Sequence, residues 1–207
     1  MGVAVLRPRR TQAERSAATR TRLLDATIET LHDHGYAGTT TTGIARRAGL
    51  SRGAQLHHFP TKMELVLTAV EHLSERRRDE FVQAVATLPE GIDRADAAID
   101  QLWRIISGPT FYAWLELCVA ARTDPELRTS VIQVYARLHE TIQRTFRELF
   151  SDPTGAHPFF DLAPTFVFAV LEGLAVSRLV SRDPSDAPRV LEALKMLARL
   201  TSVAGAP

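Results

Sequence analysis

Apolar positions along this chain recur at intervals of three and four residues and alternate over no length, a pattern that predicts helices throughout. Leu23, Leu24, Ala26, Thr27, Ile28 and Leu31 draw one side of a first helix over 16–34, and Gly35 is placed to end it. Thr40 offers an N-cap to a second helix that runs through Ala48, where Gly49 breaks it. Ser51 can cap a third helix from Arg52 to Phe59, which Pro60 stops. Thr61-Lys62-Met63-Glu64 has the form of a capping box and opens a long helix with apolar positions 63, 66, 67, 70, 73, 81 and 85. That helix is expected to end near Leu88-Pro89-Glu90-Gly91.

Beyond Gly91 the residues become larger and more aromatic, and helices are expected over 92–106, 109–121, 125–150, 161–181 and 186–202. Gly108-Pro109 and Asp124-Pro125-Glu126 supply the start signals, and the breaker-rich run SDPTGAHPFF separates the later pair. The last two helices carry apolar residues widely around their circumference. Phe166, Val170 and Leu174 on one, with Val190, Leu194 and Leu197 on the other, suit a symmetric contact with a second copy of the chain. Burial within one chain is the alternative. The pattern thus predicts an all-α protein. A basic tail over 1–15 is expected to be disordered, a three-helix unit covers 16–62 with its motif at about 40–59, and a larger helical domain covers 63–207.

The third helix is the unusual one. With Leu56 and Phe59 as its inward anchors, Arg52, Gln55 and His58 face outward and His57 lies beside them. Three helices joined by tight turns make a helix-turn-helix unit, and the Gly49 corner suits a backbone with positive φ. A short helix with a polar outer face fits the major groove, where Gln matches adenine and Arg matches guanine. A solvated helical hairpin is the bland alternative.

Charge supports the first reading. Residues 1–62 hold ten Lys and Arg against four Asp and Glu, a net +6, whereas the other 145 hold fifteen against twenty, a net −5. Arg7, Arg9 and Arg10 belong to the tail; without them the head keeps +3. A basic head on an acidic body is the electrostatic outline of a nucleic-acid-binding module joined to something else. At 24% charged and 45% apolar residues the composition is that of a globular protein. One cysteine, Cys118, excludes an internal disulfide and a cysteine zinc cluster, and suits the cytoplasm. The N-terminus reads as free of a secretory signal, and the apolar run 166–180, interrupted by Glu172 and Arg178, is too short to span a bilayer.

Three segments then carry a resemblance. Gly35-Tyr36-x-x-Thr39-Thr40, Ile44-Ala45-x-x-Ala48-Gly49-Leu50-Ser51-x-Gly53 and His58-Phe59-x-x-Lys62-x-x-Leu65 resemble, without a gap, the N-terminal signature of the TetR family of bacterial transcriptional regulators. The resemblance implies a homodimer whose heads grip a palindromic operator in double-stranded DNA. It also implies that the C-terminal domain binds a small effector. By the family's pattern Thr40, Thr42, Ser51 and Lys62 hold phosphates, Arg52, Gln55 and His57 lie at or near the bases, and Gly53 admits a close backbone approach. The family's usual Leu-Tyr is Gln55-Leu56 here, so the phosphate role of that tyrosine passes to His57 or His58.

Other chemistry is poorly supplied. The histidine pairs His32/His34 and His57/His58 point apart on a helix, so no metal site or cofactor is expected. Cys118 lies in an apolar run and reads as an inert thiol, and no phosphate loop or nucleophile elbow appears, so catalysis is not expected. Trp103, Phe111, Tyr112, Trp114, Tyr135 and Phe168, with Glu116 and His139 among them, read either as core or as the lining of a pocket for a small, mostly apolar effector. The sequence therefore points to a cytoplasmic, dimeric DNA-binding regulator, a repressor by preference. An architectural DNA-binding protein without an effector is the rival, and an enzyme with a basic head the third reading.

Overall fold

The computed structural model describes residues 11–150, 159–181, 183 and 185–200. Among them nine helices and no strand are present. Helix α1 (Gln12–Gly38) is broken at Gly35, whose φ of 64° takes the chain out of the helix where the sequence placed a stop. It begins earlier than expected. Thr11 caps it, accepting from the Glu14 N–H at 3.2 Å while the Thr11 N–H donates to Glu14 Oε2 at 2.7 Å. This reciprocal box starts a turn that is exposed all round, which is why hydrophobic periodicity missed it. The part of the expected tail before Thr11 lies outside the described residues.

Helices α2 (Thr41–Arg47) and α3 (Arg52–His58) start where their caps predict. The Thr40 and Ser51 hydroxyls accept from the N–H groups of Gly43 and Ala54, both at 3.1 Å. Between them Gly49 sits at φ 63°, and a methyl added there would come within 2.9 Å of Arg22 Nη2. The Arg22 guanidinium donates to the carbonyls of Ala48 and Gly49, so the turn is pinned from α1. The backbone angle calls for glycine, and a side chain there would also have to displace the Arg22 guanidinium.

Helix α4 (Lys62–Ala86) leads into the body, which consists of α5 (Arg94–Ile106), α6 (Pro109–Ala121), α7 (Pro125–Leu149), α8 (Ala163–Ser177) and α9 (Asp186–Leu200). Asp93 and Asp124 cap α5 and α7, and proline opens α6 and α7 at positions that need no N–H. The 161–181 expectation proves longer than α8, with turns before Ala163 and after Ser177; positions 201–202 of the expected last helix lie outside the described residues.

Helix α1 packs on both α4 and α6, α4 on α7, and α5 on α9. One continuous core results. Leu23, Leu31, Ile44 and Phe59 of the head share it with Leu65 and Val70 of α4 and with Leu117 and Leu127 of the body. The boundary expected between residues 62 and 63 therefore falls inside packed apolar contact. Truncating any of these leucines to alanine should cost about 2–5 kcal/mol. A second core joins Ile99, Ile106, Phe111, Leu171, Leu174 and Leu194 across α5, α6, α8 and α9.

Candidate nucleic-acid interface

Helix α3 has two turns, and its inner side is set by what α1 and α4 leave open. Phe59, just past its end, is 1% exposed, with the Arg20 guanidinium 5.0 Å from its ring centroid. Gln55, one turn earlier, is wholly buried. Its Nε2 donates to the Phe59 carbonyl at 2.6 Å, and its Oε1 finds no partner among the described residues. The expectation that Gln55 faces DNA is thus corrected: it is an inward residue. Leu56, expected as an inward anchor, is 44% exposed. The helix is rotated by about one residue from the face read in the sequence. The signal was available, because Gln55 stands where the family usually has leucine.

The outward face is Arg52, Gly53, Leu56 and His57, with His58 half-buried and its ring 5.4 Å from that of His57. Among the described residues, none makes an ion pair or hydrogen bond with the Arg52 side chain. A methyl added to Gly53 would meet only the Ser51 hydroxyl, at 3.9 Å. Among the described residues nothing requires a glycine there, although it costs about 0.5–1 kcal/mol in a helix. On α2, Thr42 and Arg46 are exposed one turn apart, whereas Arg47 is bound to Asp33 of α1 at 2.6 Å. Arg46 was not singled out in the sequence. Thr40 and Ser51 are exposed, with their hydroxyls already capping.

Lys62 is differently placed from the expectation. Its ammonium donates to the Tyr36 carbonyl at 2.6 Å and lies 4.0 Å from the centroid of the Tyr36 ring. Burial lowers its pKa. The N–H of the same Tyr36 donates to Glu116 Oε2 at 3.1 Å, from α6. The two backbone groups of a single residue of the head are therefore held by α4 on one side and α6 on the other. Gly35 makes room for this, since a Cβ there would lie 2.6 Å from Glu116 Oε2. Glu116 was expected in a pocket; it is instead a joint between head and body. Burial, with the carboxylates of Asp124 and Glu126 as lesser causes, raises the Tyr36 phenol above its usual range.

The expected aromatic lining divides into two groups. Phe111 belongs to the inner core of α5, α6, α8 and α9, and Trp103 and Phe168, both half-buried, pack against it. Tyr112, beside Phe111, donates its hydroxyl to the Ala175 carbonyl at 3.3 Å. Trp114, Tyr135 and His139 stack in sequence, at 6.4 and 5.9 Å between centroids, and Tyr135 is exposed. Neither cleft that stands out is lined by these residues. One, of about 620 Å³, runs along polar residues of α4 from His72 to Gln83; the other, of about 150 Å³, lies between Val85 of α4, with Leu88 just beyond its end, and Gln101 and Arg104 of α5. Among the described residues no group of three or more potential ligands could hold a metal.

The residues expected at a dimer contact also divide. Phe166 and Leu197 are 48% and 46% exposed, and Val170 and Val190 are half-buried. Leu174 and Leu194, at 8% and 4%, are spent inside their own chain, which corrects their assignment to the contact. Val176, Leu179, Val180 and Met196 add exposed apolar surface on or beside the same two helices. No described helix is long and apolar enough to cross a membrane.

A capped two-turn helix with an unpaired polar face, fixed at a glycine corner onto a basic three-helix head, defines a helix-turn-helix transcriptional regulator that binds DNA. Residues 23–69 match the description "Bacterial regulatory proteins, tetR family", and residues 107–201 match "BetI-type transcriptional repressor, C-terminal". The chain belongs to the TetR family, whose members are regulators and not enzymes. It is 31% identical over 191 residues to the HTH-type transcriptional regulator CymR of Pseudomonas putida, covering 92% of this chain and 94% of that one. It is 30% identical over 183 residues to the HTH-type transcriptional regulator BetI of Paraburkholderia xenovorans, covering 83% and 87%. Among solved structures, a protein from Saccharomonospora viridis in complex with choline superposes with a TM-score of 0.65 at 19% identity, over 92% of this chain and 100% of that one. The multidrug binding protein EbrR complexed with imidazole gives 0.59 at 23% identity, over 86% and 93%.

Proposed function

We propose that this protein is a homodimeric cytoplasmic repressor that holds a palindromic operator and is released from it by a small, mostly apolar effector. The observation that carries the reading is the double hold on the Tyr36 backbone. Helix α6, which bears Phe111, Tyr112 and Trp114, grips the head through Glu116, so a ligand that shifts α6 pulls on the reader. The match to a BetI-type repressor C-terminal region supports the sign of regulation. The small-molecule complexes of two proteins with this fold support an effector in the body.

Dimerisation is supported by the apolar surface left on α8 and α9, of which Phe166 is the largest side chain. Arg52 and His57 read bases, Thr40, Thr42 and Arg46 lie along phosphates, and His57 or His58 takes the contact the family's tyrosine makes. The functional head is then residues 12–62 and the effector and dimer unit is the remainder.

A ligand moves the equilibrium only by its different affinity for the two arrangements. A coupling of about 1–3 kcal/mol changes operator affinity about 5- to 150-fold, and DNA weakens ligand binding equally. Titration of tryptophan fluorescence with an effector library, with and without operator, tests this directly. Binders with the same affinity in both states would defeat the switch. Glu116→Ala should leave ligand affinity for the free protein intact while shrinking its effect on DNA. Sedimentation of Phe166→Glu as a monomer, against a wild-type dimer, tests the contact; a wild-type monomer at micromolar concentration would defeat it.

A further inference from the structure

We propose that Leu56 is a specificity-determining residue that reads the 5-methyl group of a thymine in the major groove. The proposal rests on α3 being the DNA-reading helix and adds what one position on it recognises. On this helix polarity is inverted: a glutamine is buried at position 55 and a leucine stands in solvent at position 56. A leucine 44% exposed on a two-turn helix adds little to the core of the head, where Gln55 and Phe59 occupy the inward side.

Leu56 lies one turn after Arg52 and three residues after Gly53, between the partnerless guanidinium and the exposed His57 imidazole. An isobutyl group can neither donate nor accept a hydrogen bond, so it gains nothing against phosphate oxygens. Among the base edges in the major groove, the thymine 5-methyl is the apolar feature. Cytosine presents an amino group in the neighbouring position, which the same leucine would desolvate without a partner. Gly53 has no side chain to hold the base edges away, and among the described residues nothing explains its presence. Contact between Leu56 and a methyl thus accounts for both the exposed leucine and the bare turn beside it.

The test uses the full-length protein. Its preferred duplex is first selected from random sequence, and each thymine of that duplex is then replaced singly by deoxyuridine, which removes only the methyl. One thymine in each half-site should be sensitive, weakening wild-type binding about fourfold when one methyl is lost and about fifteenfold when both are, on the scale of one buried methyl-sized group. Leu56→Ala should bind the thymine and deoxyuridine duplexes equally. A selected duplex whose every deoxyuridine replacement leaves wild-type affinity unchanged would overturn the proposal. So would the same deoxyuridine loss in Leu56→Ala, which would assign the methyl to another residue. If no sequence is enriched at all, DNA reading by α3 fails and Leu56 with it, an outcome distinct from a specific but methyl-blind protein. Should Leu56→Ala fold poorly, Leu56→Gln replaces it in the same comparison, with the same two outcomes.

Discussion

Gln55→Leu should stabilise the protein without altering what DNA it prefers. In the wild type the carboxamide is wholly buried, its Oε1 has no partner, and its Nε2 donates to the Phe59 carbonyl at 2.6 Å. A buried carbonyl oxygen left unsatisfied costs about 1–3 kcal/mol, and leucine removes it. Leucine also forfeits the bond to Phe59, worth about 0.5–1.5 kcal/mol, and leaves that carbonyl without its donor at a cost of about 1 kcal/mol more. Added apolar burial returns about 1 kcal/mol. The balance is a gain of about 1 kcal/mol. Urea unfolding of the full chain, at one fixed protein concentration, should show the midpoint rise by about 0.4 M for a slope near 2.5 kcal/mol/M. Selection from random duplexes should return the same preferred sequence for both proteins. A loss of stability of about 1 kcal/mol or more would show that the carboxamide is fully satisfied in the head. A changed base preference would show that it reaches DNA and refute the inward placement, whereas the loss of stability would refute the unsatisfied Oε1.

Gly35→Ala should cost about 2–3 kcal/mol, because it combines a left-handed backbone with displacement of the Glu116 carboxylate, 2.6 Å from the new methyl; adding Glu116→Ala should recover the steric part only, as read by urea unfolding. Arg46→Ala should weaken all duplexes alike and reduce the salt slope of log affinity by about 0.9 per head, about 1.8 for the dimer on its operator, whereas an unchanged slope would remove Arg46 from the phosphate contacts. Burial, and secondarily the Glu172 carboxylate, pushes the Cys118 thiol up to about 11 from 9.0. The folded form holds its proton longer than the unfolded one, so stability relative to Cys118→Ala should be constant below about pH 9 and fall between 9 and 11. At pH 8 a thiol reagent should label Cys118 quickly only in denaturant.

Much of this was already written locally. Thr40, Ser51, Thr61, Asp93 and Asp124 cap their helices through bonds to N–H groups three residues on. Such bonds need no distant partner, so caps, prolines at first turns and the Gly49 corner announce element boundaries from short stretches of chain. The family signature, being a run of such local features, is legible for the same reason. The polar start of α1 shows the limit, since no apolar stripe accompanied its capping box.

What sequence alone could not decide was which way each helix turns its faces. On a two-turn helix, Leu56 with Phe59 at a spacing of three and Gln55 with Phe59 at a spacing of four are both permissible inner sides. The choice was made by the space α1 and α4 leave around Phe59. In the same way, wide apolar stripes on α8 and α9 could not reveal that Leu174 and Leu194 are consumed by α5 and α6 while Phe166 stays outside. The joint at Tyr36 depended on residues 80 and 26 positions away, Glu116 and Lys62, meeting the N–H and the carbonyl of one residue. Local hydrogen bonds fix where helices begin and end; burial, which depends on every neighbour at once, fixes which side chains are left to face DNA.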